Sequence, residues 1–483
     1  MCYIEIKKIM VLVVVFMTMN TYSQNLITNG DFETDPPTRP NIVFIVTDDL
    51  GIRDLGCYGS EYYLTPTLDA LASEGMRFTN AYSASNVCSP TRASILTGQY
   101  PHRVHITDAL PWDRLYENPK MVPPNHLKEL PSTLPNYAKS LRSAGYKTAL
   151  FGKWHLGNEY NFYAKEGYKA YGFDEAFAVS GVEKKKDKGV DKLTERCIQF
   201  LKANKEVPFV LTLMHHTPHV PLESPQEYKD LYNEIPKGQN QNNQTYAGMI
   251  SHLDHSVKVI LDKLDELELA ENTVVIFTSD NGGLRTVTSN KPYRGAKGNL
   301  YEGGTRVPLI VRWPGHVLKN SVCDAIVNSV DYFPTFLALA GIDMSAVSLD
   351  GIDMLPLLKG ETLEERTCYW HFPHRSTPSS SVLDNNWKLV HKIVPDTYEL
   401  FNLKTYPYET KNLSSKNTEE ANRLKLLLKQ HLKDSGAQRM RSNTKWDRTQ
   451  PKGEVRNFGI FYNSEGSELQ MVTDPYPDYW FYK

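Results

Sequence analysis

The run NIVFIVT at residues 41–47 carries polar atoms only at its two ends, so as a strand it has no face to offer water. A strand of that kind is stable when both faces are covered, which points to a parallel sheet sandwiched between helices. Similar short apolar runs recur at KTALFG (147–152), VPFVLTLMHH (207–216), NTVVIFTSDNGG (272–283) and VPLIVRWPG (307–315). Helical grammar lies between them. TPTLDALASEG (65–75) and LPNYAKSLRSAGY (134–146) each run into a glycine. The stretch 246–269 places Ile250, Leu253, Val257, Ile260, Leu261, Leu264 and Leu267 on one amphipathic stripe. The pattern predicts an α/β fold with a large, mostly parallel central sheet flanked by helices. Beyond Glu365 the grammar changes: NNWKLVHKI and YELFNL read as short antiparallel strands and EEANRLKLLLKQHLKD as a helix, giving a small C-terminal α+β subdomain.

These shifts divide the chain into an export signal at 1–23, a polar linker at 24–39, a catalytic domain at 40–365 and a C-terminal subdomain at 366–483. The signal reading rests on Lys7 and Lys8, an apolar run from Ile9 to Met19 too short to span a bilayer, and small or polar residues up to Ser23. It predicts a periplasmic or secreted protein with no membrane span after cleavage. The 54 basic and 56 acidic residues nearly cancel, so no overall field attracts nucleic acid. Once Cys2 leaves with the signal, Cys57, Cys88, Cys197, Cys323 and Cys368 remain, and their wide spacing fits no zinc pattern. An odd count in an oxidising compartment marks one cysteine for another task.

The strand ends carry the chemistry. Asp48 and Asp49 close the first strand, and Asp280 and Asn281 close another some two hundred residues later. Open parallel sheets bind ligands beyond the carboxyl ends of their strands, so the two pairs can meet. Three carboxylates and an amide oxygen suit Ca²⁺ or Mg²⁺ better than zinc. GKWHLG adds Lys153 and His155, HHTPHVP adds His215, His216 and His219, and YRGAKGNLYEGGTRVP adds Arg294, Lys297 and Arg306. Together they describe a cation-lined pocket for a tetrahedral oxyanion. In NVCSPTRASILTG (86–98), Ser89 can cap a helix, Pro90 suits its first turn and Gly98 can close it. Arg92, four residues after Cys88, should then lie over the sulfur-bearing position.

CSPTRASILTG resembles the sulfatase signature, Cys-x-Pro-x-Arg followed by Ala-Ser-x-Leu-Thr-Gly. PNIVFIVTDDLG, GYKTALFGKWHLG, TSDNGG and KGNLYEGGTRVPLIVRWPG are similar to the other blocks of that family, in family order, from Pro40 to about residue 403. The resemblance implies an alkaline-phosphatase-like fold and sulfate-ester hydrolysis. It also implies that a maturating enzyme oxidises Cys88 to formylglycine. One oxygen of the hydrated aldehyde would bind the metal and attack sulfur, and the sulfated hemiacetal would then collapse without a second attack by water. Asp48, Asp49, Asp280, Asn281 and modified Cys88 would hold Ca²⁺, with Mg²⁺ the second choice. Asp280 would take the nucleophile's proton, Arg92 orient the diol, His155 assist collapse, Lys153 hold sulfate oxygens and Lys297 bridge sulfate and leaving oxygen. His219 would protonate the leaving alcohol, with His216 as the alternative. Asn281 stands where phosphonate and phosphate-ester hydrolases of this scaffold usually place a histidine, and no catalytic residue is missing as an inactive sugar-binding relative would imply.

The substrate expected is a sulfated carbohydrate. His216, Arg294, His371 and His374 are the candidate substrate contacts, with Arg375 beside them in YWHFPHRSTPSS (369–380).

Overall fold

The computed structural model describes residues 39–444 apart from 112, 116–119, 180–185 and 376, and beyond them the short strands Arg456–Phe458, Phe461–Tyr462 and Glu468–Leu469. The expected signal, and all of the linker but its last residue, lie outside the described residues. Eight strands form one sheet: β1 (Asn41–Thr47), β2 (Met76–Phe78), β3 (Lys147–Gly152), β4 (Glu175–Phe177), β5 (Phe209–Met214), β6 (Thr273–Ser279), β7 (Leu309–Arg312) and β8 (Ser321–Cys323). Their order is β8-β2-β7-β6-β1-β5-β3-β4. Strand β1 lies inside, parallel to β6 on one side and to β5 on the other. Only β7 runs against its neighbours, β6 and β2.

The apolar runs are buried on both faces because the pleat divides them between two cores. Ile42, Phe44 and Val46 of β1 join one core; Val43 and Ile45 join the other. The first core is closed by helices α2 (Cys88–Thr97), α3 (Tyr137–Ser143) and α6 (Tyr332–Leu339). The second is closed by α1 (Pro66–Glu74), α4 (Val190–Ala203) and α5 (Gln244–Glu266). Helix α5 starts two residues before the amphipathic stripe, because the Asn243 side chain accepts the Tyr246 N–H and caps it there.

A separate antiparallel sheet follows: β9 (Thr367–Phe372), β10 (Ser379–Asp384), β11 (Trp387–Lys392) and β12 (Thr397–Asn402), paired in that order. Cys368, Trp370 and Phe372 pack on Tyr82, Val87 and Leu300 of the larger sheet's loops. Val382, Leu389 and Leu400 pack under α7 (Thr418–Asp434), through Ala421, Leu424 and Leu428. Among the described residues no helix is long and apolar enough to cross a membrane.

Candidate functional site

The two acidic dipeptides meet because their strands are paired in register. Thr47 lies opposite Ser279, and the Asp280 N–H continues the ladder by donating to the Thr47 carbonyl at 3.1 Å. Asp49 takes a left-handed turn (φ 68°), a conformation aspartate tolerates better than most side chains. Its N–H donates to Asp280 Oδ1 at 3.2 Å, and Asn281 Nδ2 donates to Asp49 Oδ1 at 2.8 Å. All four side chains are buried.

Three cations surround these carboxylates. Arg92 grips Asp280 Oδ2 from Nε (3.0 Å) and Nη2 (2.8 Å), while its Nη1 donates to the Lys153 carbonyl at 3.0 Å. Lys153 leaves the end of β3 and donates from Nζ to Asp48 Oδ2 at 2.6 Å. Gly152 makes that departure possible: at φ 107°, a Cβ there would lie 1.9 Å from the Met214 carbonyl oxygen. Lys297 Nζ donates to Asp49 Oδ2 at 2.7 Å and lies 3.5 Å from Cys88 Sγ. Its loop docks backbone to backbone on the DNGG turn, the Lys297 N–H bonding the Gly283 carbonyl and the Gly282 N–H the Gly304 carbonyl. A Cβ at Gly282 would come 2.0 Å from the Gly303 oxygen, so the glycines there allow the two loops to interlock.

Cys88 opens α2 and does not follow a cap. The helix begins at Cys88 with Val87 as its extended N-cap residue, and no side chain caps it. Ser89, expected as the cap, lies inside the helix and accepts the Leu110 N–H at 3.0 Å. Gly98 closes the helix in the left-handed region as expected (φ 65°). Burial pushes the Cys88 thiol up to about 12 although Lys153 and Lys297 pull the other way, so as a thiol it is protonated and a poor nucleophile. Burial and the Asp48 charge raise Asp280 to about 6 against the pull of Arg92. Burial would also raise Asp48, but Lys153, His219, Arg92 and Lys297 together hold it well below the usual carboxylate range. His219 is driven down to about 4 by burial and by Lys297. Its Nδ1 bonds the Val220 carbonyl, which leaves Nε2 turned toward Asp49 Oδ2 at 3.6 Å.

A divalent cation fits this cradle. Among the described residues, Asp48 Oδ1 and Asn281 Oδ1 are buried acceptors with no hydrogen-bond donor. Single ligand atoms of Asp48, Asp49, Cys88 and His219 all lie within 4.8 Å of one another. Hard oxygens lacking a donor are what Ca²⁺ or Mg²⁺ satisfies.

His155 stands at φ 55° with Nε2 bonded to the Leu110 carbonyl; burial and the charges of Lys153 and Arg92 depress its basicity. His215 is wholly buried just past the end of β5, and His216 shares a turn with His219, whose N–H bonds the His216 carbonyl at 3.0 Å. Arg306 turns away from the carboxylates to Glu302, Thr79 and Asn80. The expected contacts in 369–380 are placed differently from a sugar-facing loop. Both ring nitrogens of His371 are engaged, by Ser380 and the Gln438 carbonyl. His374 is buried and its Nε2 pairs with Thr107 Oγ1 at 2.7 Å. Arg375 pairs with Asp108 at 2.7 Å. Thr107 and Asp108 belong to the strand-free segment that ends at Leu110, so these residues steady the carbonyl that holds His155. Sequence reasoning had no means of finding the Leu110 carbonyl or the Met214 sulfur 3.3 Å from Arg92 Nη1. The Ser279 hydroxyl that accepts the Leu50 N–H, two residues before Asn281, was legible only as part of the strand end.

Known proteins share the sequence pattern and the fold of this chain. The profile of the family described as Sulfatase matches residues 40–342, and that of the N-sulphoglucosamine sulphohydrolase C-terminal region matches 296–438. A sulfatase of Formosa agariphila is 29% identical, over 81% of this chain and 87% of its own. Human N-acetylgalactosamine-6-sulfatase is 31% identical over 69% of each chain. The crystal structure of Ps i-CgsB superposes with a TM-score of 0.71 at 29% identity, covering 83% of this chain and 94% of that one.

Proposed function

The chain belongs to the sulfatase family and is a sulfuric ester hydrolase; from that premise we propose that it desulfates a sulfated carbohydrate, with Cys88 matured to formylglycine and Ca²⁺ (Mg²⁺ second) at the carboxylates. The observation that carries the reading is the buried Cys88 3.5 Å from Lys297 Nζ, with single ligand atoms of Asp48, Asp49, Cys88 and His219 within 4.8 Å of one another. Support for carbohydrate comes from the relatives: Ps i-CgsB has been crystallised in complex with a neocarrahexaose.

Asp48, Asp49, Asp280 and Asn281, with the Cys88 side chain, would hold the cation. When present, the cation polarises the sulfate and the matured residue 88 provides the attacking oxygen. The protein's own side chains do the rest. Arg92 fixes Asp280 by two hydrogen bonds to one oxygen, and Asp280 would take the nucleophile's proton. Lys153 would hold the sulfate oxygens and Lys297 would bridge sulfate and the leaving oxygen. His219 carries its Nδ1 proton on Val220 and offers Nε2 to the leaving oxygen. The negative charge of a bound sulfate ester raises its basicity, so the proton it delivers is acquired with the substrate. His216 is the second candidate for that donor. His155, oriented by Leu110, assists release of the product.

Export by residues 1–23 would place the reaction in the periplasm or outside the cell, after a maturating enzyme has acted on the CSPTR segment. The test is turnover of 4-nitrocatechol sulfate against bis-nitrophenyl phosphate, followed by a panel of sulfated oligosaccharides. Hydrolysis of the sulfate ester is expected; turnover of the phosphate diester alone would overturn the reading.

A further inference from the structure

The loop that carries Lys297 has a second side. Lys297 itself reaches Asp49 and Cys88, but its sequence neighbours Arg294, Gly295, Asn299, Leu300 and Tyr301 line a pocket of about 440 Å³, closed by Arg285, Thr377 and Lys392. One residue ties the pocket to the catalytic segment: the Gly298 N–H donates to the Asn86 carbonyl at 2.9 Å, and the Gly298 carbonyl accepts from Thr377 Oγ1 at 3.3 Å. Arg294 is three residues from Lys297, a span of at most about 10 Å, so the pocket lies within reach of a sugar adjoining the catalytic one.

The charge in this pocket is unbalanced and ordered. Arg294 and Lys392 share a single carboxylate, Glu399. Glu399 Oε1 holds Arg294 Nη2 at 3.4 Å and Lys392 Nζ at 3.2 Å, while its other oxygen accepts the Tyr301 hydroxyl. The Arg294 guanidinium lies 4.0 Å over the Tyr301 ring, and Arg294 and Lys392 are 38% and 40% exposed. A carboxylate and an aromatic plane thus aim the cations without neutralising them, and the heads remain open to the pocket. Paired cations held this way recognise an oxyanion.

We propose that this pocket is an anion subsite of the desulfation reaction, holding a second sulfate or a carboxylate on the sugar beside the one being cleaved; this rests on the carbohydrate reading above. The favoured substrate is therefore a polyanionic chain and not an isolated sulfated sugar.

The test is direct binding, measured by calorimetry at moderate salt, of dextran sulfate oligomers, oligogalacturonate and neutral dextran to the wild type and to Arg294→Gln/Lys392→Gln. Dextran sulfate should bind the wild type and lose roughly tenfold in affinity in the variant, the effect of losing charge-assisted hydrogen bonds, and high salt should shrink the difference. A parallel loss for oligogalacturonate would extend the subsite to carboxylates; a loss for dextran sulfate alone would restrict it to sulfates. Arg294→Lys/Lys392→Arg should keep the affinity. Equal affinity in wild type and the Gln variant, or an equal loss in the charge-conserving variant, would overturn the proposal. Binding is read without turnover, so an absence of sulfate-ester hydrolysis counts against the proposed function and not against the subsite.

Discussion

Replacing Lys388 by methionine tests how the small sheet is fastened to the catalytic body. Lys388 is wholly buried on β11, with Nζ 2.7 Å from Glu302 Oε1 and 3.1 Å from Glu409 Oε1. Glu302 keeps Arg306 at 3.1 Å and Tyr82 at 2.9 Å when the ammonium is removed, but Glu409 keeps only the Glu302 N–H at 2.8 Å. Methionine fills nearly the same volume, so the loss is electrostatic. Removing one partner of a buried ion pair costs about 3–5 kcal/mol. Burial already raises Glu409 to about 7 against the pull of Lys388, so protonation relieves part of the penalty and places the loss near 3 kcal/mol at neutral pH. At about 2 °C per kcal/mol, that lowers Tm by roughly 6 °C. The sign with pH follows. Without Lys388 the folded-state pKa of Glu409 rises further above its unfolded value, so the folded variant binds the extra proton and its stability falls as pH rises. Thermal or urea unfolding of both proteins at pH 5.5, 7 and 8 checks this, with the deficit largest at pH 8. Adding Glu409→Gln to the variant should recover at least about 1 kcal/mol at that pH. A deficit below about 1 kcal/mol, or one that shrinks toward pH 8, would refute the account.

Four further outcomes are expected. Peptide mass spectrometry of active protein should find an aldehyde at position 88, and full activity with an intact thiol would exclude the proposed nucleophile; Cys88→Ser should be inactive where maturation acts on cysteine alone. Prolonged chelation should abolish turnover and calcium restore it, while Asp48→Asn should lose terbium luminescence in a titration; recovery with zinc only would reassign the cradle. His374→Ala should depress turnover of 4-nitrocatechol sulfate and of a sulfated oligosaccharide within about twofold of each other, since a buried ring bonded to Thr107 acts through the His155 support and not through the sugar; a loss confined to the oligosaccharide would return it to the binding surface. Burial holds His371 and His431 at about 4 and His102 well below its ordinary value, so between pH 6.5 and 4 the unfolded chain binds more protons and stability should fall on acidification; an unfolding midpoint that holds steady from pH 7 to 5 would contradict it.

The strands that carry the site were legible because each is a short apolar run with no polar face, and the paired acids because they stop such runs. The direction of β7 was not legible: four apolar residues read alike in either sense, and only pairing with β6 and β2 reverses them. Ser89 shows a second limit. Its composition signals a cap, but the helix starts at Cys88 and the hydroxyl serves a loop twenty-one residues on. His371 and His374 show a third, since exposed and buried histidines look the same in a sequence. Their partners, a serine on the next strand, a distant carbonyl and Thr107, exist only after the sheet and the loop 105–110 have met. Carbonyl partners such as Leu110 leave no residue-type signal at all.

Cys88 is 2% exposed, and Arg92 on the same helix is locked to Asp280, 188 residues further along the chain. At about 5–20 residues per second, that separation is roughly ten to forty seconds of synthesis. During that interval the CSPTR segment exists without Asp280, the partner of its Arg92. Once β6 pairs with β1 the segment is out of reach. On the proposed reading, maturation at Cys88 would be a race against folding, and variants that slow closure of the sheet should then leave a larger modified fraction even when they weaken the finished enzyme.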